Sequence, residues 1–195
     1  MTVRLTRIYT RTGDAGTTAL GDMSRVAKTD PRVGAYADCD ETNSVIGLAI
    51  ASGKISERTS AVLGVVQNDL FDVGADLCTP IVEEPEYEPL RVTKEQVSQL
   101  ESWCDEFNEG LPKLTSFILP GGTEAAAHLH HARTVARRAE RSAWILSEAA
   151  PVNDCALRYL NRLSDLLFIL ARFENPGGDV LWVPGGDRGV GKASE

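Results

Sequence analysis

A chain of 195 residues, 43% hydrophobic and 25% charged, has room for one sizeable core and is short for two independent domains. No apolar run approaches the roughly 20 residues of a membrane span. A net charge of −8 argues against the broad positive surface that nucleic-acid binding needs, so any basic cluster here is local. The stretch MTVRLTRIYTR lacks the apolar segment of a secretory signal, so a cytoplasmic address is expected. The four cysteines, Cys39, Cys78, Cys104 and Cys155, form no C-x-x-C pair and read as reduced, small, mostly buried residues.

Residues 1–32 carry Gly, Thr, Asp and Pro31 without a sustained period, which predicts an irregular arm ending at a helix start. In residues 33–52, Tyr36, Ala37, Val45, Ile46, Leu48 and Ala49 recur near a 3.6-residue period, and Gly53 supplies a stop: the first helix. Val62, Leu63, Val65, Val66, Leu70, Phe71 and Val73 give 56–77 a wide apolar face: the second. PIVEEPEYEPLRV, 80–92, has three prolines and four glutamates and predicts an exposed acidic loop. Thr93 with Gln96 is a capping-box signature for a third helix over 94–108. FILPGGT, 117–123, breaks the pattern before a Gly- and Pro-free stretch at 124–149, the fourth helix. Asn153 caps a fifth, which runs until Pro176-Gly177-Gly178. The tail, 176–195, reads as loose, with DVLWVP extended. The fold class expected is all-α: one domain, an up-and-down five-helix bundle over 33–175 with an irregular N-terminal arm.

RTVARRAER, 133–141, concentrates four arginines and one glutamate in an acidic protein. Arg133, Arg137 and Arg141 stand at i, i+4 and i+8, drifting about 40° per step, so three guanidinium groups share one stripe. Like charges at this spacing cost roughly 0.2–0.5 kcal/mol each, and an anion would remove the cost. A planar fork suits phosphate, so a polyphosphate is the natural ligand; a solvated face with acidic neighbours is the alternative. In YTRTGDAGTTALGD, 9–22, glycines admit close backbone N–H groups and threonines add donors, a cradle for phosphates with Lys28 to supply an ammonium. It lacks both the P-loop and the dinucleotide-binding glycine patterns, and a simple turn is its alternative. HLHH at 128–131, with Glu124, does not match the ligand spacing of a bundle metal site, and a packed or surface histidine group is expected. Asn161 and Asp165 could aim from one face of the fifth helix, or serve as a cap or inter-helix bond. Asp38, Asp40, Glu41 and Asn43 leave a polar patch on the first helix that an arginine from another helix or subunit would satisfy.

Together YTRTGDAGTT (9–18), DETNSVIG (40–47), FILPGGT (117–123), RTVARRAER (133–141) and NRLSDLLFILAR (161–172) resemble the PduO-type ATP:cob(I)alamin adenosyltransferases along nearly the whole chain. Two departures stand out: Ala15 where the family's arm usually has Lys, and Thr42 where its first-helix motif usually has Leu. The resemblance implies a homotrimer with active sites at subunit interfaces, the arm of one subunit set against the arginine helix of its neighbour. It implies transfer of the 5′-deoxyadenosyl group of ATP to cob(I)alamin, with triphosphate released and Mg²⁺ on the phosphates. Thr10, Arg11, Thr12, Gly13, Asp14, Gly16, Thr17, Thr18, Lys28, Arg137, Arg138, Glu140, Arg141 and Asn161 would bind ATP, with Arg137 foremost for rate. Asp40 and Arg133 would pair across the interface beside the corrin, and Phe117 would press on the lower face of the cobalt, easing reduction of cob(II)alamin. A reductase and an adenosylcobalamin-dependent enzyme are the implied partners. The rival expectations are a non-catalytic ATP or corrinoid sensor or carrier, and a di-metal bundle protein.

Overall fold

The computed structural model describes residues 9–185; the expected start of the arm (1–8) and end of the tail (186–195) lie outside the described residues. Among these, five helices form: α1 (Pro31–Ala51), α2 (Glu57–Cys78), α3 (Lys94–Asn108), α4 (Glu124–Ala149) and α5 (Asp154–Phe173). Each opens on a residue whose side chain accepts a bond from an otherwise orphaned N–H of the first turn: Asp30, Ser56, Thr93, Thr123 and Asn153. The Thr93–Gln96 capping box is present in both directions.

Side by side, the helices run α2, α1, α4, α5, α3. This differs from a simple up-and-down bundle, in which each helix lies beside the next. The connections at 79–93 and 109–123 are long enough to carry the chain across to α3 and back. Polar side chains then join α3 to α2: Gln96 Nε2 donates to Asp69 and Asp72, and Arg58 pairs with Glu106. The core is leucine-rich on α5, where Leu160, Leu163, Leu166 and Leu167 are fully buried. On α4 the buried face is mostly alanine (Ala125, Ala126, Ala132, Ala136, Ala139, Ala143), which lets α1 and α5 approach closely on either side. The arginines between those alanines are left to project outward.

Three sequence expectations change here. The arm is not wholly irregular: β1 (Thr17–Ala19) and β2 (Arg25–Ala27) form an antiparallel hairpin, with Thr18 opposite Val26. Its strands are too short and too polar to show the alternation that marks a strand. The tail is not loose as far as it is described. Leu119 N donates to Val180 O (2.8 Å) and Trp182 N to Phe117 O (2.7 Å), while buried Arg172 binds Asp179 (2.7 Å) and Pro112 O (2.7 Å). Of the cysteines, all free, only Cys39 is buried and the other three are half-buried.

Candidate functional site

Four features of the molecule are candidates for ligand contact: the arm, two stretches of the arginine stripe of α4, and a groove between α1 and α2.

The first is the arm. Thr10 and Thr12 share a hydroxyl hydrogen bond (2.9 Å), and Arg25, from β2, donates to Thr12 O (2.7 Å) and Thr17 Oγ1 (2.6 Å). Lys28 N donates to Gly16 O (2.9 Å), and its ammonium lies over Gly13, where a Cβ would stand 3.3 Å from Nζ. Gly16 takes φ +81°, a conformation that a side chain would strain. Arg11 adopts φ +63° without being glycine, and its guanidinium lies 5.7 Å from the Tyr9 ring. Non-glycine residues in this region cost about 1–3 kcal/mol and cluster at ligand clamps. Thr10, Arg11, Thr12, Asp14 and Lys28 are exposed, and Gly13, Thr17 and Thr18 half-buried, so the strap presents its polar groups outward. Arg25 was not expected at this site; it stands opposite Ala19 in the hairpin, and only the fold brings its guanidinium back to Thr12 and Thr17.

The second is the arginine face of α4. Arg137 and Arg141 are exposed and make no hydrogen bond or ion pair among the described residues. Glu140, beside them, accepts from Asn161 Nδ2 of α5 (2.8 Å). That pair stands at the rim of a cavity of about 330 Å³ between α3, α4 and α5, whose lining includes Val97, Trp144 and Leu157. Arg138 points elsewhere. One residue on from Arg137 it is turned about 100° around the helix, and it pairs with Asp38 and Glu41 of α1, where Ser142 also bonds Asp38. The polar patch expected on the first helix thus finds its arginine within the chain. Asp165 turns to Arg162 (2.6 Å) and does not join Asn161.

The third is the N-terminal half of α4. Arg133 lies 6.0 Å over the Phe168 ring, with its Nε buried and unpartnered, and the Nδ1 of buried His130 is likewise unpartnered against the same ring. Burial, then Arg133, lowers the pKa of His130; burial, then Arg137, lowers that of Arg133. Of the other histidines, His131 is exposed and His128 lies 3.9 Å from Glu124. Among the described residues no group of three or more His, Cys, Asp or Glu side chains is gathered as metal ligands. Phe117 is 80% exposed, and the Trp182 ring meets its ring edge at 6.2 Å.

The fourth is a groove of about 460 Å³ between α1 and α2, lined by Tyr36, Asp40, Asn43 and the exposed Phe71. Asp40 is exposed and has no ion pair with Arg133 inside the chain.

The structure joins Lys28 to the glycine strap and Glu140 to Asn161. No hydrogen bond or ion pair among the described residues joins the strap to Arg137 or Arg141 within one chain. The arm's own contact with α4 is a cavity of about 260 Å³ that runs from Lys28 past Gly34 to Ser142 and Ile145. Ser142 faces α1, about 140° around α4 from Arg137, while Ile145 lies one turn beyond Arg141.

The family model described as cobalamin adenosyltransferase matches residues 8–174. The chain is 63% identical over 190 residues to the corrinoid adenosyltransferase of Mycobacterium bovis, covering 96% of this chain and 98% of the relative. It is 50% identical over 182 residues to the cobalamin adenosyltransferase of Cupriavidus metallidurans, covering 92% and 95% respectively. The fold superposes with a TM-score of 0.83, at 37% identity, on a variant PduO-type ATP:corrinoid adenosyltransferase from Lactobacillus reuteri complexed with cobalamin and ATP, over 90% of this chain and 99% of that one.

Proposed function

Because the chain belongs to the cobalamin adenosyltransferase family, we propose that it transfers the 5′-deoxyadenosyl group of ATP to cob(I)alamin, and that it does so at sites completed between protomers of a homotrimer. It is an enzyme, a corrinoid adenosyltransferase, with ATP and cobalamin as substrates. The observation that carries the inter-protomer reading is the separation just described. The strap of Thr10, Arg11, Thr12, Gly13, Asp14, Gly16, Thr17, Thr18 and Lys28 lies on one side of the molecule. On α4 the arm's cavity reaches Ser142 and Ile145; the unpaired Arg137 lies about 140° around the helix from Ser142 and about 80° from Ile145, and no hydrogen bond or ion pair among the described residues joins the strap to Arg137 or Arg141. Two surfaces suited to one polyphosphate, yet not joined in one chain, are united by a neighbouring copy in a cyclic assembly.

The chemistry then follows from the groups. The nucleophilic Co(I) of the reduced corrin attacks the ribose 5′ carbon; the cobalt–carbon bond forms, the C5′–O bond breaks, and triphosphate leaves with the electron pair. Negative charge grows on the bridging oxygen. Arg137 and Arg141, without a hydrogen bond or ion pair among the described residues, are available to receive it, and such donors are worth several kcal/mol once the site excludes water. Glu140 and Asn161 hold the ribose end through a carboxylate acceptor and an amide. Arg138, engaged by Asp38 and Glu41, supports ATP binding by fixing α4, and so its arginine stripe, against α1. The arm offers hard oxygen donors of the kind Mg²⁺ accepts, the hydroxyls of Thr10, Thr12 and Thr17 and the carboxylate of Asp14, beside the phosphates. Magnesium bound there would neutralise part of the triphosphate charge. Arg133, with one guanidinium nitrogen buried and unpaired, reaches Asp40 of a neighbouring protomer beside the corrin. Phe117 offers an apolar surface to the lower face of the cobalt, which disfavours an axial ligand and eases reduction of cob(II)alamin. No general base is required.

Anaerobic incubation with ATP and cob(I)alamin tests the reading, followed by the spectral change of cobalt–carbon bond formation. Adenosylcobalamin and triphosphate should appear in equal amounts. Bound ATP and corrinoid with no adenosylated product would make the protein a sensor or carrier.

A further inference from the structure

Trp144 is the one large aromatic in the cavity at the Glu140–Asn161 pair, and nothing in the proposed chemistry uses it. It is 53% exposed on a helix whose buried face is built of alanine. Its place on α4 is specific. Taking Arg133 as the origin, successive steps of about 100° put Arg137 near 40°, Glu140 near −20° and Trp144 near 20°. The indole therefore stands within the same stripe as the guanidinium groups and one turn beyond Glu140. It is about 10 Å along the axis from Arg137. Across the cavity Val97 and Leu157 supply apolar surface, while Glu101, Asp154, Arg158 and Arg162 make a polar rim. A flat aromatic wall, apolar surface opposite and hydrogen-bonding groups at the edge are what a purine takes from a protein: stacking on its face, polar contacts at its rim.

Resting on the reading of Glu140 and Asn161 as the ribose-holding pair, we infer that Trp144 is the platform on which the adenine of ATP stacks, so that the nucleoside lies along α4 with its base one turn beyond Glu140. The triphosphate then turns toward the strap and Arg137, and the 5′ carbon faces the Arg133 end of the helix, where Phe117 and the corrin are proposed to lie. A base anchored on Trp144 fixes where the 5′ carbon sits. Trp144 is thus a specificity and positioning residue whose contribution depends on the base and not on the phosphates.

Tryptophan emission tests this directly, because the chain has three tryptophans. In the Trp103→Phe/Trp182→Phe protein, Trp144 is the sole reporter. ATP with Mg²⁺ should quench and shift its emission, whereas inorganic tripolyphosphate, which can occupy the arginines but has no base, should leave it unchanged. In the otherwise native protein, Trp144→Ala should weaken ATP binding measured by calorimetry by roughly five- to a hundredfold. Tripolyphosphate affinity should be retained, and Trp144→Phe should restore most of the loss. ATP that binds the native protein with unaltered Trp144 emission, or an equal loss of both ligands in Trp144→Ala, overturns the assignment while leaving the ATP site standing. ATP that fails to bind the native protein, or binds Glu140→Ala and the native protein alike, removes the site itself and the assignment with it.

Discussion

Phe117 and His130 carry opposite kinds of cost, and each gives a measurable consequence. Phe117 leaves a large aromatic 80% exposed on a segment held by two backbone bonds to the tail, so its removal vacates no core space and the proposed corrin contact can be tested apart from stability. Phe117→Ala should unfold at an unchanged temperature and bind ATP with unchanged affinity. With cob(II)alamin and a reductant as the starting state it should lose at least about tenfold in rate, the equivalent of roughly 1.4 kcal/mol. A variant that keeps its full rate in that assay removes Phe117 from the corrin site. His130 is buried with an unpartnered ring nitrogen, and its pKa lies below the ordinary 6.5 because burial, and then the neighbouring Arg133, penalise its cation. The unfolded chain binds a proton near the ordinary value and the folded chain resists it. The stabilisation is therefore complete above 6.5 and is lost as pH falls through 6.5 toward the lower folded value. Between about pH 7.5 and pH 5.5 the native protein should lose more melting temperature than His130→Gln, which carries no such proton. Parallel losses in the two proteins would show that His130 is not part of the acid response.

At the scale of elements, one buried carboxylate ties three of them together. Asp76, near the end of α2, accepts from Arg91 (2.7 Å), Val92 N (2.7 Å) and Asn153 Nδ2 (2.7 Å), so the end of α2, the end of the acidic loop and the cap of α5 share a single charge. Arg91 also donates to the carbonyls of Asp76, Thr79 and Pro80. Arg91→Ala leaves a buried carboxylate without its counter-charge and should cost about 3–5 kcal/mol, read from the urea midpoint, because the desolvation of Asp76 is no longer offset. Glu106→Ala, which breaks the exposed pair with Arg58, should cost less than about 1 kcal/mol. Equal costs would mean that the clasp holds nothing. The helices themselves were legible because each carries its own start signal, from Asp30 with Pro31 to Asn153, and its own period. The clasp was not, since Asp76, Arg91 and Asn153 are far apart in sequence and only the fold makes them neighbours. The same reason hid the lateral order of the helices and the hairpin, whose strands are fixed by Arg25 and Lys28 reaching back to Thr12, Thr17 and Gly16. The arginine stripe was legible because it lies within one helix. The departure of Arg138 from it was readable too, since adjacent residues differ by about 100°; Trp144 shows no motif, only its angle.

At the scale of the whole molecule, the proposed inter-protomer site makes the strap and the arginine face its two halves. In that proposal Lys28 belongs to the half that a protomer donates, and Arg137 to the half that it receives. Lys28→Ala and Arg137→Ala should each fold, since both side chains are exposed and such residues add little to stability. Each should be inactive alone, every site in the pure assembly lacking one half. Mixed in equal amounts, unfolded and refolded together or exchanged slowly, the two chains assemble at random. An interface is then intact only when the arm comes from an Arg137→Ala chain and the helix from a Lys28→Ala chain, which gives about a quarter of native activity in any cyclic homo-oligomer. A site contained within one protomer would give no recovery at any mixing ratio, because every chain would still carry its own defect. Dilution separates the readings further: recovered activity should fall with protein concentration in step with the trimer mass seen by light scattering.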